Sequence, residues 1–324
     1  MRLLPAAHSP ERRTTMIRSR HGEFPPRTIR IVIRRLLCAV VLAQPLALAP
    51  LAAQPELAAA RGLVHAVPGD FPTAIGYLNI AEWSFPLSEA VEGAPNRPVP
   101  LPTPVFQVRF PRGWIMVDAG MDREHAVAAD DSSQFFVDRY ARAVAALRGA
   151  SLIVVTHEHY DHIGTVVHSA VAEELAPKTM LTRAQMESLL HNVKMTLTPF
   201  DSARAGHYIV FDYDRELPIA PGVVLIKAPG HTPGSQVVYI KLASGREVIL
   251  SGDVTLNHLG IEMEKQKPDP NHRVGAEDRA AIAGELAWLH QAERAGVSVV
   301  VSHDGEQLKA FAHDGILSDG LATR

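Results

Sequence analysis

The chain has 324 residues, a formal net charge of -3 and 47% hydrophobic residues. That length and apolar share support one large globular domain, or two small ones, with a buried core. The nearly balanced charge carries no stripe of clustered Lys and Arg of the kind that grips a phosphate backbone, so no nucleic-acid partner is expected.

Residues 1–53 differ from the rest. Arg27, Arg30, Arg34 and Arg35 precede LLCAVVLAQPLALAPLAA, Leu36 to Ala53. A basic start, a short apolar run and an Ala-rich exit are the pattern of a secretory signal peptide. Gln44, Pro45 and Pro50 break the run, which falls short of the roughly 18 clean apolar residues a membrane span needs. Export is therefore expected over retention as an anchor. Arg34–Arg35 also permits a twin-arginine reading, and Met16 is a second candidate start. The expected product is periplasmic or secreted, membrane-anchored only if the leader is kept, with 62–324 as its working domain. Cys38 is the only cysteine and lies in the leader. A mature chain without thiols has no disulfides, and any metal must be held by His and carboxylates.

Ile75 to Ala81 has strand character. Glu92 to Pro104 (EGAPNRPVPLPTP) is proline-rich and reads as an irregular loop. Val105–Phe110 and Trp114–Val117 flank Pro111, Arg112 and Gly113 as the arms of a hairpin. Gln134 to Leu147 has apolar residues at helical spacing and stops at Gly149. Leu152–Val155 is a buried-type strand. Helices are expected over Thr165–Leu175, Arg183–Asn192 and Ala276–Ala295. Strands are expected over Val223–Lys227, Gln236–Lys241, Glu247–Leu250 and Val297–Val301. Strands and helices interleave without strict alternation, which suggests two mixed sheets with helices outside them.

The densest chemistry follows Leu152–Val155: His157-x-His159-x-Asp161-His162. Neutral imidazoles with a carboxylate suit a borderline cation such as zinc. Period-two spacing puts His157 and His159 on one side of an extended chain. A turn then redirects the chain, so that Asp161 and His162 reach a second ion nearby. His231 in APGHTPGS, Asp253 in LSGDV and His303 in VVVSHDGEQ also sit just past an apolar strand. Their shared placement argues for one cavity at one edge of the sheets. Burying such a set without a cation leaves charges and lone pairs uncompensated. Among other residues, Glu158 is expected to face solvent or a neighbouring loop. His168, His191, His207, His272 and His313 have no motif context and read as surface or core. His258 is a candidate to overhang the cavity, Tyr160 to pack or lend a hydroxyl, and Asp304 to steady the last ligand's loop.

The set VTHEHYDHIG, APGHTPGS, LSGDV and VSHDGEQ, with MVDAG at Met116 to Gly120, resembles the metallo-β-lactamase-fold superfamily of metallohydrolases from about Ile75 onward. In its motifs it is most similar to the acyl-homoserine lactonase-like branch. The resemblance implies an α/β (α+β) fold, an αββα sandwich of two mixed sheets flanked by helices. It implies one metal on His157, His159 and His231 and a second on Asp161, His162 and His303. Asp253 would bridge them and Asp118 would support the ligands from behind. The implied cofactor is two Zn2+, with iron or manganese as alternatives.

The function these residues predict is hydrolysis of a small ester, lactone or amide-type substrate by a hydroxide bridging the metals. Asp161 or Asp253 would move the proton. Asp253 argues against a β-lactamase, whose corresponding position is usually Cys or Ser. Leu256 departs from the lactonases, which carry a tyrosine three residues after the bridging Asp. Organophosphate triester hydrolysis, β-lactam hydrolysis and iron-dependent redox chemistry on the same fold are the alternatives. The redox di-iron type usually has glutamate where this chain has His159. The Glu92–Pro104 and Asn192–His207 segments are expected to overlie the cavity, with Met195, Leu197 and Phe200 suiting a partly apolar substrate.

Overall fold

The computed structural model describes residues 56–129, 133–192, 200–268 and 277–323. The expected leader with Cys38 and Met16, and also Met195, Leu197 and His272, lie outside the described residues. Among the described residues, thirteen strands form two sheets. The first contains β1 (Ala74–Pro86), β2 (Pro98–Arg109), β3 (Trp114–Val117), β4 (Gln134–Phe135), β5 (Leu152–Val154), β6 (Thr179–Thr182), β7 (Ile209–Phe211) and β13 (Ser318–Asp319). Its order is β13-β1-β2-β3-β5-β6-β7, with β4 also on β1. The second contains β8 (Glu216–Ala220), β9 (Val223–Lys227), β10 (Gln236–Lys241), β11 (Glu247–Leu250) and β12 (Ser298–Val300), in the order β12-β11-β10-β9-β8. Both sheets mix parallel and antiparallel pairs.

Alternation along the strands builds the layers. In β9, Val223 and Leu225 enter the core between the sheets, where Ile75, Phe106, Val108 and Val117 meet them. Val224 and Ile226 turn outward to a second core under the helices Leu57–Leu63 and Arg279–Arg294, with Ala60, Leu286 and Leu289. On the far side, Leu78, Ile80 and Val105 pack with Leu147 and Ile163 from the helices Val137–Gly149 and Tyr160–Val167. The result is helix, sheet, sheet, helix, the expected sandwich.

Several local expectations are corrected. Pro98 to Pro104 is not irregular: it is the first half of β2, registered on β1 from Pro86↔Pro98 to Asn79↔Pro104. Its prolines fall at alternate positions, so their missing N–H groups all point the same way. β3 pairs only from Phe106 onward, leaving this half an edge, where proline is tolerated. Nor does a simple turn follow His159. Tyr160 begins a helix with His159 at its N-cap, and the helix stops at Val167 rather than running on to Leu175.

Candidate metal centre

The sheets deliver the candidate residues to one edge. β11 and β12 are parallel, with Leu250 beside Val300, so Asp253 and His303 lie equally far past paired residues. β9 ends at Lys227, ahead of His231. β5 ends at Val154, and the chain beyond it is tied to the second sheet where Gln236 donates its backbone N–H to the Thr156 carbonyl at 2.9 Å.

His157, His159, His231 and Asp253 present ligand atoms to one point, and Asp161, His162 and His303 present theirs to another. In the first group His157 Nε2 and His231 Nε2 lie 3.0 and 2.9 Å from His159 Nδ1. In the second, His162 Nε2 and His303 Nε2 are 3.1 Å apart, with Asp161 Oδ2 3.6 and 3.4 Å from them. Asp253 spans the two. Its Oδ2 is 3.8 Å from His157 Nε2 and 3.6 Å from His231 Nε2. Its Oδ1 is 3.3 Å from His162 Nε2 and 3.1 Å from His303 Nε2.

The outer nitrogens fix the tautomers. His162 Nδ1 donates to Asp118 Oδ2 at 2.9 Å, His231 Nδ1 to Glu277 Oε1 at 2.6 Å and His303 Nδ1 to the Pro102 carbonyl at 2.6 Å. All three partners accept only, so each neutral ring turns its Nε2 lone pair inward. Two such lone pairs, on His162 and His303, therefore oppose one another at 3.1 Å. Between neutral rings that arrangement is repulsive, and either a proton or a metal cation between the two nitrogens relieves it. Asp118 also accepts from the Thr156 backbone N–H at 2.7 Å, and it holds a left-handed backbone with φ 61.

Burial pushes His157, His159 and His231 below the ordinary histidine range, so these rings are neutral and able to ligate. Burial also opposes charge on Asp253, but His303 and His162 outweigh it and hold the carboxyl well below its usual range. On His162 and His303 burial again opposes protonation, and Asp253 and Asp161 outweigh it and move both upward. The surrounding carboxylates thus call for positive charge at the second group, and a divalent ion supplies it. The donor set fits such a cation.

The neighbouring residues sort differently. Glu158 faces the neighbouring loop but is fully buried, accepting from Thr232 Oγ1 at 2.9 Å, and burial raises its carboxyl. His258 does not overhang the cavity: its Nε2 lies 2.7 Å from Glu293 Oε1 on the helix Arg279–Arg294. Tyr160 packs against Ala81, Met121 and Ala126. Asp304 caps the helix Gly305–His313, accepting from Glu306 and Gln307, and takes the His258 N–H at 3.0 Å. Glu277, with Lys267 Nζ 2.6 Å from its Oε1, is the residue sequence reasoning missed. No motif surrounds it.

A profile of the Metallo-beta-lactamase superfamily matches residues 98–302. Among known proteins, the probable metallo-hydrolase YflN of Bacillus subtilis (strain 168) is 24% identical over 170 residues, 48% of this chain and 59% of that protein. The chain thus spans less than two thirds of that relative. A quorum-quenching N-acyl homoserine lactone lactonase superposes with a TM-score of 0.58 at 19% identity, covering 74% of this chain and 95% of the other. AidC, a dizinc quorum-quenching lactonase, gives 0.50 at 16%, covering 72% and 88%. At such identities these likenesses speak for the fold. With the profile spanning more than half of the sequence and all the motif residues gathered at one sheet edge, the chain belongs to the metallo-beta-lactamase superfamily.

Proposed function

We propose that this chain is a two-metal hydrolase acting on a small ester, lactone or amide-type molecule, with zinc as its metal. His157, His159 and His231 hold one ion, Asp161, His162 and His303 the other, and Asp253 stands between them. The observation that carries this reading is the division of Asp253, one oxygen toward each group. Two such cations, when bound, supply Lewis acidity and lower the pKa of a water toward about 7.

The protein's own part is orientation and proton transfer. Asp118, Glu277 and the Pro102 carbonyl lock three rings in the ligating tautomer. Asp161 and Asp253 are both nearly buried, with 11% and 6% of the side chain exposed, and either carboxylate stands where it can carry a proton to the leaving atom. Leu256 and Leu259, shortly after Asp253, pack with Leu87, Val91 and Val99. The fold shared with lactonase structures supports an acyl lactone as a candidate substrate. The basic and apolar leader supports action outside the cytoplasm.

Replacing both His231 and Asp253 with Ala tests the reading. The double variant should lose the metal of this centre and all turnover of a panel of lactones, β-lactams, thioesters and phosphotriesters. Turnover persisting in it would end the proposal. Cleavage of phosphotriesters alone by the unaltered chain would move the substrate class.

A further inference from the structure

Beyond the seven-residue centre, one more group of described side chains gathers metal-ligand atoms within 4.8 Å of one another: Asp122, His125 and His168. Asp122 Oδ1 lies 3.1 Å from His125 Nδ1, and Asp122 Oδ2 lies 3.0 Å from His168 Nδ1. The two rings meet edge to face with centroids 4.2 Å apart. A tetrahedral ion with legs of zinc length sets its donors about 3.3 Å apart. The two carboxylate–imidazole separations, each on a different Asp122 oxygen, fall close to that value, and one ligand atom from each of the three residues lies within 4.8 Å of the others.

The surroundings suit a bound ion. His125 is buried, and Ala81, Met121 and Ala126 form an apolar shell with Trp83, Phe135 and Tyr160. The Tyr160 ring stacks over His125 at 6.5 Å. Side-chain exposures of 16% for Asp122 and 28% for His168 leave a route from solvent. Burial opposes charge on Asp122, yet its hydrogen bonds to His125 and His168 hold the carboxyl well below its usual range. Two imidazoles and one carboxylate are a zinc donor set that leaves a fourth position for water.

We propose that Asp122, His125 and His168 form a third cation site, separate from the seven-residue centre and selective for a borderline divalent ion such as zinc. Its place in the fold gives it a task. Asp122 caps the helix Arg123–Ala129, whose first turn contains His125. His168 caps the C-terminal end of Tyr160–Val167, whose first turn carries Asp161 and His162. A cation here pins the far end of the helix that aims two ligands of the main centre, about 9 Å away along its axis.

The competing account is a helix cap whose carboxylate also takes two histidine hydrogen bonds, with no ion. Zinc stoichiometry separates the two. The chain is stripped with chelator, reloaded with zinc, freed of excess and assayed for metal per chain. The proposal expects three ions for the unaltered protein and two for His168→Ala and for Asp122→Asn. Asn still caps a helix, so the second variant keeps the fold while removing the charged ligand. Both variants retain the seven residues of the main centre and so should keep measurable turnover, reduced at most by looser aim of Asp161 and His162, and both should lose one step of the zinc-dependent rise in melting temperature. Two ions in the unaltered protein, or equal stoichiometry in all three, would overturn the proposal. Loss of the main centre is separately visible as lost turnover.

Discussion

Glu277 holds His231 at 2.6 Å and is itself held by Lys267 at 2.6 Å. Removing an acceptor behind a ligating imidazole frees the ring to rotate and to change tautomer, which typically weakens metal affinity 10- to 100-fold. Glu277→Ala is therefore expected to lower zinc affinity by about that factor, while Glu277→Gln, whose amide oxygen still accepts, recovers part of it. Competition with a chromophoric chelator measures both; equal affinity in all three proteins would remove Glu277 from this role. At this scale the sequence was legible where candidate ligands cluster locally. His157, His159, Asp161 and His162 declare themselves within one short stretch, and Asp118 sits in a recognisable MVDAG. Glu277 does not, because its meaning comes from a contact across 46 positions with no local pattern. His258 misled for the opposite reason. It is near Asp253 in the chain, but Glu293 offers its ring a partner elsewhere.

Elements position these residues through close approaches that tolerate little change. Gly120, next to the Asp118 turn, has φ +66, and a Cβ there would strike Ile80 Cδ1 of β1. Gly120→Ala combines left-handed strain with overpacking and should destabilise the fold by about 2 kcal/mol or more, read from denaturant midpoints. An unchanged midpoint would mean that β1 gives way freely. Glu285, on the helix Arg279–Arg294, accepts from the Gly230 N–H at 2.9 Å, next to His231. Burial raises its carboxyl from 4.5 to about 7, with the charges of Asp278 and Glu277 adding to the rise. The folded chain then keeps a proton that the unfolded chain gives up, so this group's contribution to stability falls as pH rises from about 4.5 to about 7 and is level above that. The loss is of order 3 kcal/mol. The stability difference between Glu285→Gln and the unaltered protein should grow in the variant's favour between about pH 5 and about pH 8; a difference constant across that range would contradict the shift. Element types were legible wherever apolar period was clean, as in β9, β10 and β11, whose bounds match the reading to the residue. Pro98 to Pro104 was not, because proline signals a loop unless the missing N–H groups face an unpaired edge, and that is a property of the sheet. Gln134–Phe135 was read into the following helix but pairs with β1 as β4, because the helix begins only at Val137, and the two-residue β13 carries no periodic signal of its own.

Across the whole molecule, the sandwich and the centre are one design. Two sheets share a core, and the ends of β5, β9, β11 and β12 meet at one edge, where each carries a polar residue just past its last apolar one. That repeated context made the convergence of the site residues readable in the sequence, and the motif resemblance implied the sandwich. The outer features depend on contacts between distant segments: the Asp122–His125–His168 group and the buried acids Glu158 and Glu285. The central claim is that the seven side chains surround two cations with Asp253 between them. Anomalous scattering from crystals of the zinc-loaded protein, collected at the zinc edge, tests it most directly. The account predicts two peaks in this cavity, one against His157, His159 and His231, the other against Asp161, His162 and His303, each within bonding distance of a different Asp253 oxygen. A single peak there, or two peaks with Asp253 touching only one, would contradict it.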